Sequence, residues 1–85
     1  MSMVSALYLL VGRFGNATLL DFDQACEALA LTKSWGYKLS SAGTFPVPLR
    51  KVGNKMYADI RDVASHLDTE RDKAEAEFRR SRPSH

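Results

Sequence analysis

The stretch from Gly43 to Asn54 decides most of what this chain can become. It holds Pro46 and Pro48, two of the three prolines, and Gly43 and Gly53, two of the five glycines. Proline fixes φ and has no amide proton, and it pushes the residue before it out of the helical region. Phe45-Pro46-Val47-Pro48 must therefore run extended. Gly43 supplies a left-handed stop for a preceding helix. Gly53-Asn54 lies between two short segments, Leu49 to Val52 and Lys55 to Ala58, as the dipeptide of a tight hairpin turn. Neither face of that hairpin is wholly apolar, which suits a ribbon projecting into solvent as a wing and leaves its register open.

Helix signals flank this punctuation. Thr18 to Leu20 reads as an extended entry, Asp21 as an N-cap, and Gln24 as its capping-box partner. Phe22, Ala25, Cys26 and Leu29 follow at helical spacing, which predicts a helix over residues 22–30. After the short connection Leu31-Thr32, Thr32 can cap a second helix reaching about Ala42. Leu31, Trp35, Leu39 and Ala42 would form its buried side, and Lys33, Ser34, Tyr37, Lys38 and Ser41 its outer arc. Two helices joined so tightly cross steeply, as in a helix-turn-helix. Asp59 caps a last helix with the stripe Ile60, Val63, Ala64 and Leu67. That stripe continues thinly through Ala74 and Phe78 amid opposite charges.

The fold class expected from this order is small α+β, mostly helical. A helix-turn-helix is followed by a two-stranded wing and a C-terminal helix, a winged helix-turn-helix over residues 18–68. Residues 1–17 form an apolar N-terminal segment, a short helix or added strand that packs on the domain or on a second subunit. Gly12, Gly15 and Asn16 mark its end. Residues 69–85 form a charged helical extension with a basic, frayed end at Arg79, Arg80 and Arg82.

Charge is distributed unevenly along the chain. The formal net charge is only +2, yet no Asp or Glu occurs from Ala28 to Ala58, where Lys33, Lys38, Arg50, Lys51 and Lys55 lie. A compact, unopposed set of cations is what a polyanion requires, because each Lys or Arg near a phosphate displaces a condensed counterion. The field points to a DNA-binding module.

Other classes find little support. The single cysteine, Cys26, allows no intrachain disulfide framework or Cys-rich zinc site, and it reads as a small buried hydrophobe. His66 and His85 have no metal-ligand spacing. Asp21/Asp23 and Glu75/Glu77 sit in cap or solvated-helix contexts that do not suit acid–base chemistry. Neither an enzyme nor a cofactor is expected. The longest apolar run, Ala6 to Val11, is far short of the roughly 20 residues of a membrane span, so the expected compartment is the cytoplasm, at the nucleoid.

The string Leu31-Thr32-Lys33-Ser34-Trp35-Gly36-Tyr37-Lys38-Leu39 occurs with Gly43-Thr44-Phe45-Pro46-Val47-Pro48 and the Val52-Gly53-Asn54-Lys55 turn. Together they resemble phage excisionases and AlpA-like regulators, winged helix-turn-helix proteins related to the MerR DNA-binding domain. The likeness runs from about Thr18 to Leu67. The opening Ala6-Leu7-Tyr8-Leu9-Leu10, ending in Arg13-Phe14-Gly15, looks like that of pyocin activator proteins. Two residues depart from the pattern. Gly36 replaces a branched aliphatic residue, at a helix cost of about 1 kcal/mol against Ala. Trp35 replaces a small hydroxyl residue and is expected to pack in the core, filling the space that Gly36 leaves.

The resemblance implies that the second helix enters a major groove and the wing touches adjacent backbone or minor groove. Lys33, Ser34, Tyr37 and Lys38 are then the recognition surface, and Arg50, Lys51, Asn54 and Lys55 the wing contacts. The plainer alternatives are a solvated helix face and a hairpin kept basic for solubility. The resemblance also implies a double-stranded DNA-binding protein of a prophage or integrative element. It would act as an excisionase or transcriptional regulator by cooperative binding and bending of DNA, self-associating there and meeting integrase or RNA polymerase. A reading from another class is a protein-interaction module, an antiactivator, that keeps the fold without binding DNA.

Overall fold

A computed structural model describes residues 5–15 and 18–81. Met3 and Val4 in the apolar N-terminal segment, Asn16 at its end, Arg82 and His85 lie outside the described residues. Those described form an α+β fold of four helices and one three-stranded antiparallel sheet. In chain order these are α1 (Ala6–Phe14), β1 (Leu19–Asp21), α2 (Phe22–Ala28), α3 (Lys33–Ser41), β2 (Arg50–Val52), β3 (Lys55–Asp59) and α4 (Ile60–Ser81).

Local chemistry sets the helix starts. Asp21 and Gln24 form the full capping box, with the Gln24 amide donating to Asp21 Oδ1 at 2.8 Å and the Asp21 amide donating to Gln24 Oε1 at 3.1 Å. The Trp35 amide donates to Thr32 Oγ1 at 3.1 Å. Asp59 Oδ1 accepts from the Arg61 amide at 2.8 Å, which satisfies one of the free donors at the start of α4. Such caps are each worth about 1 kcal/mol.

The helix ends differ from expectation in one place. α3 stops as foreseen: Gly43 (φ 74°) takes the left-handed position, with Thr44 N–H donating to Leu39 C=O at 2.8 Å and Gly43 N–H to Ser40 C=O at 3.1 Å. α2 ends at Ala28, two residues short of the expected Ala30. Ala30 itself occupies the left-handed position (φ 60°), and Leu31 N–H donates to Cys26 C=O at 2.8 Å. An alanine there carries the Cβ penalty that a glycine avoids, so no composition signal marks this stop.

The sheet corrects the expected two-stranded wing. Leu19–Asp21 is a true strand, pairing with β3 in the register Leu19↔Asp59, Leu20↔Ala58, Asp21↔Tyr57, so β3 is central. The hairpin pairs Arg50↔Tyr57, Lys51↔Met56 and Val52↔Lys55. Its two-residue loop has φ 61° at Gly53 and no positive φ at Asn54, the sign pattern of a type II′ turn.

The core collects Leu10, Leu20, Ala25, Val47, Ala58, Ile60, Val63 and Ala64, with Leu20 and Val63 fully buried. Burying one such side chain contributes roughly 1.5–3 kcal/mol. α1 is a helix and packs on α4 of its own chain, through Leu10 and through the Ala6 amide, which donates to Asp68 Oδ1 at 3.1 Å. α4 runs unbroken to Ser81, so Arg79 and Arg80 are helical, and Arg79 pairs with Glu75 at 3.1 Å. No helix of the described residues is long and apolar enough to cross a membrane.

Candidate nucleic-acid interface

α3 is seated on α2 through a notch. Gly36 is buried, and a Cβ built there would collide with Cys26 Sγ and stand 3.3 Å from Phe22 Cζ. The neighbouring Tyr37 ring stacks on Phe22 with centroids 4.6 Å apart, and Phe45 closes on the same ring at 5.5 Å. Gly36 thus leaves no space for Trp35 to fill, and Trp35 is not in the core. Its side chain is half-exposed (51%), with Lys38 Nζ 5.8 Å from the ring centroid, a cation–π pair. Leu31 and Leu39 are partly buried, whereas Ala42 is exposed. The buried side of α3 is rotated by about one residue from the expected stripe, because only a residue without a side chain permits this approach.

The rotation decides what α3 shows to solvent. Lys33, Ser34, Trp35, Tyr37 and Lys38 are all exposed. Tyr37 divides its ring between Phe22 and water. Trp35 is the outward-facing residue that the apolar pattern misassigned. The usable signal was Gly36 itself, since a glycine inside a helix marks a close backbone approach.

The hairpin turn meets the α2–α3 pair across a cleft of about 300 Å³ lined by Asp21, Phe22, Asp23, Lys33, Tyr37, Asn54, Lys55 and Met56. Four of the eight expected contact residues, Lys33, Tyr37, Asn54 and Lys55, are brought together here. Ser34 and Lys38 lie along α3 outside it. Lys51 pairs with Met56, on the sheet face where Met56 Sδ accepts from Ser40 of α3 at 3.8 Å. Arg50 pairs with Tyr57 instead, and successive strand residues face opposite sides, so Arg50 stands on the far face of the wing. Lys55 shares that face by the same register, although it borders the cleft from its place beside the turn. A larger groove of about 470 Å³ between α3 and the proline linker, lined by Phe45, Val47, Leu49 and Met56 among others, carries no charged side chain.

Electrostatically, the acid-free stretch of sequence is not acid-free in space. Asp23, from the first turn of α2, reaches Lys33 Nζ at 3.2 Å and holds its pKa above the usual lysine value through that hydrogen bond. The cleft therefore sets Lys33 and Lys55 against Asp21 and Asp23. Asp59 Oδ2 accepts from Arg61 Nη2 at 2.7 Å, and these hydrogen bonds lower its pKa to about 2, with a lesser contribution from the charge of Arg50. Burial, reinforced by the nearby Asp23 charge, pushes the Cys26 thiol up, which fits an inert packing role. Among the described residues, Lys38, Arg50, Lys51 and Lys55 form no ion pair. No family model matches the chain, and no curated protein and no solved structure matches it.

Proposed function

We propose that this chain is a double-stranded DNA-binding protein of winged helix-turn-helix type, in the manner of phage excisionases and AlpA-like regulators. In this reading α3 enters the major groove and the β2–β3 hairpin lies on flanking backbone. The observation that carries it is the set of cations that form no ion pair among the described residues on two neighbouring elements, Lys38 on α3 and Lys51 and Lys55 on the hairpin, whose turn meets α3 at one cleft. Free ammonium and guanidinium groups are the ones that release counterions on meeting phosphate. Lys33 starts from a pair with Asp23, so its phosphate contact requires exchange of one anion for another. Lys38 beside Trp35 is the stronger candidate for a base edge, and Lys55 for a phosphate.

A domain of this size covers only roughly 600–1,000 Å² of its own surface on DNA, so tight binding would require neighbouring protomers to cooperate. Cooperative coating of tandem sites bends DNA and changes what integrase or RNA polymerase can touch. Excision of a mobile element and regulation of its promoter are the two roles this mechanism serves.

The test is duplex binding followed by fluorescence anisotropy from low to high salt, using DNA from the flanks of the gene. Affinity should fall steeply with salt. Lys55→Ala should weaken binding to all sequences alike, Lys38→Ala should also relax sequence preference, and Arg50→Ala should do least. The charge-balanced cleft and the exposed Trp35 favour one second reading, a protein-interaction module. Absence of duplex binding at low salt would select it.

A further inference from the structure

We infer that the outward face of α1 docks a second copy of this chain, with Tyr8 of each protomer seated on Gly12 of the other. Helical spacing places Tyr8, Gly12 and Gly15 in one row, opposite the Ala6 and Leu10 side that packs on α4. Tyr8 is 72% exposed, and Leu7 and Val11 flank it with much of their own surface in water. A helix apolar on most of its circumference is ordinarily covered on most of it.

Gly12 supplies the second, independent observation. Glycine inside a helix is destabilising, and such a residue usually answers to a special φ or a close neighbour. Among the described residues Gly12 has neither: it is helical, and a Cβ built there meets nothing within 4 Å. Gly15 is explained by its φ of 76° at the end of the helix. Gly12 is thus a hole in the surface that none of the described residues fills, one helical turn from a large exposed ring.

Knob and hole on the same row are what a two-fold pair needs, because an isologous contact repeats itself with the roles exchanged. Antiparallel packing about a two-fold level with Leu10 puts each Tyr8 over the opposite Gly12 and brings the Leu7 and Val11 flanks together. Charge permits the approach. The only charged residue of α1, Arg13, is held within its own chain by Glu27 at 2.9 Å and lies over the Phe14 ring, so the docking face is uncharged.

Area sets the strength. Leu7, Tyr8, Leu9 and Val11 present on the order of 400 Å² per copy, or 800 Å² per pair, below the ~1,200 Å² at which stable specific interfaces begin. The pair is therefore weak and concentration-dependent, not a permanent dimer. It does not depend on the DNA reading, since it concerns the free protein.

Sedimentation of the full chain over roughly 0.01–1 mM tests it. The mean mass should rise with concentration. Tyr8→Ser should lower the association about tenfold and leave melting unchanged. Gly12→Ala should lower association while raising the melting temperature of the dilute protein, two effects of opposite sign that a fold defect cannot produce together. Mixing Tyr8→Cys and Gly12→Cys chains under mild oxidation should yield the 8–12 cross-link in excess of 8–8 and 12–12, with the buried Cys26 out of reach. A chain monomeric throughout, association indifferent to both substitutions, or a predominance of 8–8 cross-links would each overturn the pairing.

Discussion

α1 and α3 are both nine-residue helices with a glycine in the interior, and the two glycines do opposite things. Gly36 is a contact: Cys26 and Phe22 occupy the volume its side chain would need, and α3 lies against α2 because that volume is free for them. A Cβ at Gly12 would meet nothing within 4 Å among the described residues. The same propensity penalty is offset by packing inside the protomer in one helix and is left standing in the other. A glycine in a helix therefore says that something comes close, and only the surroundings say whether that something belongs to the same chain.

The largest effect is expected at position 36. Gly36→Ala should improve helix propensity yet destabilise the protein by about 1–3 kcal/mol, because the new methyl overpacks a filled site. Urea denaturation would measure this. Cys26→Ala in the same chain should recover part of the loss, since the two residues share one volume and their effects should not add. A stabilising Gly36→Ala would mean that the notch is not tight.

A smaller effect is expected where α4, the support of α1, begins. The Asp59 carboxyl titrates at about 2 in the folded chain, against roughly 3.9 for an unfolded aspartate. Its contribution is complete above about pH 4 and is lost as the pH falls towards 2. Because Arg61 is largely exposed, the loss should be only about 1 kcal/mol. Asp59→Asn should retain the cap and flatten that part of the stability–pH curve, which thermal melts from pH 5 to pH 2 would show.

The smallest effects sharpen the contrast. Gly12→Ala should stabilise the dilute protein by about 0.5–1 kcal/mol, the reverse of position 36. Ala30→Gly should stabilise it by a similar or smaller amount, by relieving a side chain held at positive φ at the end of α2. Calorimetry resolves shifts of this size, and a destabilising Ala30→Gly would show that the left-handed turn is under no strain.

Much of the fold was legible because it rests on interactions between residues close in sequence. The capping box at Asp21 and Gln24, the caps at Thr32 and Asp59, the stop at Gly43 and the turn at Gly53-Asn54 each involve residues within a few positions of one another. They appear where the sequence places them. The stripe Ile60, Val63 and Ala64 is buried as its spacing implies. The candidate site was legible only as a list of residues. All eight are exposed, but Arg50 stands on the opposite side of the wing from α3, and Trp35, expected inside, is outside.

Residue order alone sets where helices start, where most of them stop, and which segment must turn. Those outcomes depend on dihedral limits and on hydrogen bonds reaching three or four residues. Tertiary structure alone decided that Leu19–Asp21 joins the sheet, that α3 turns Gly36 inward and Trp35 outward, and that Asp23 crosses to Lys33. Volume exclusion and Coulomb attraction act through space, so a stretch without carboxylates can still acquire one from the neighbouring helix.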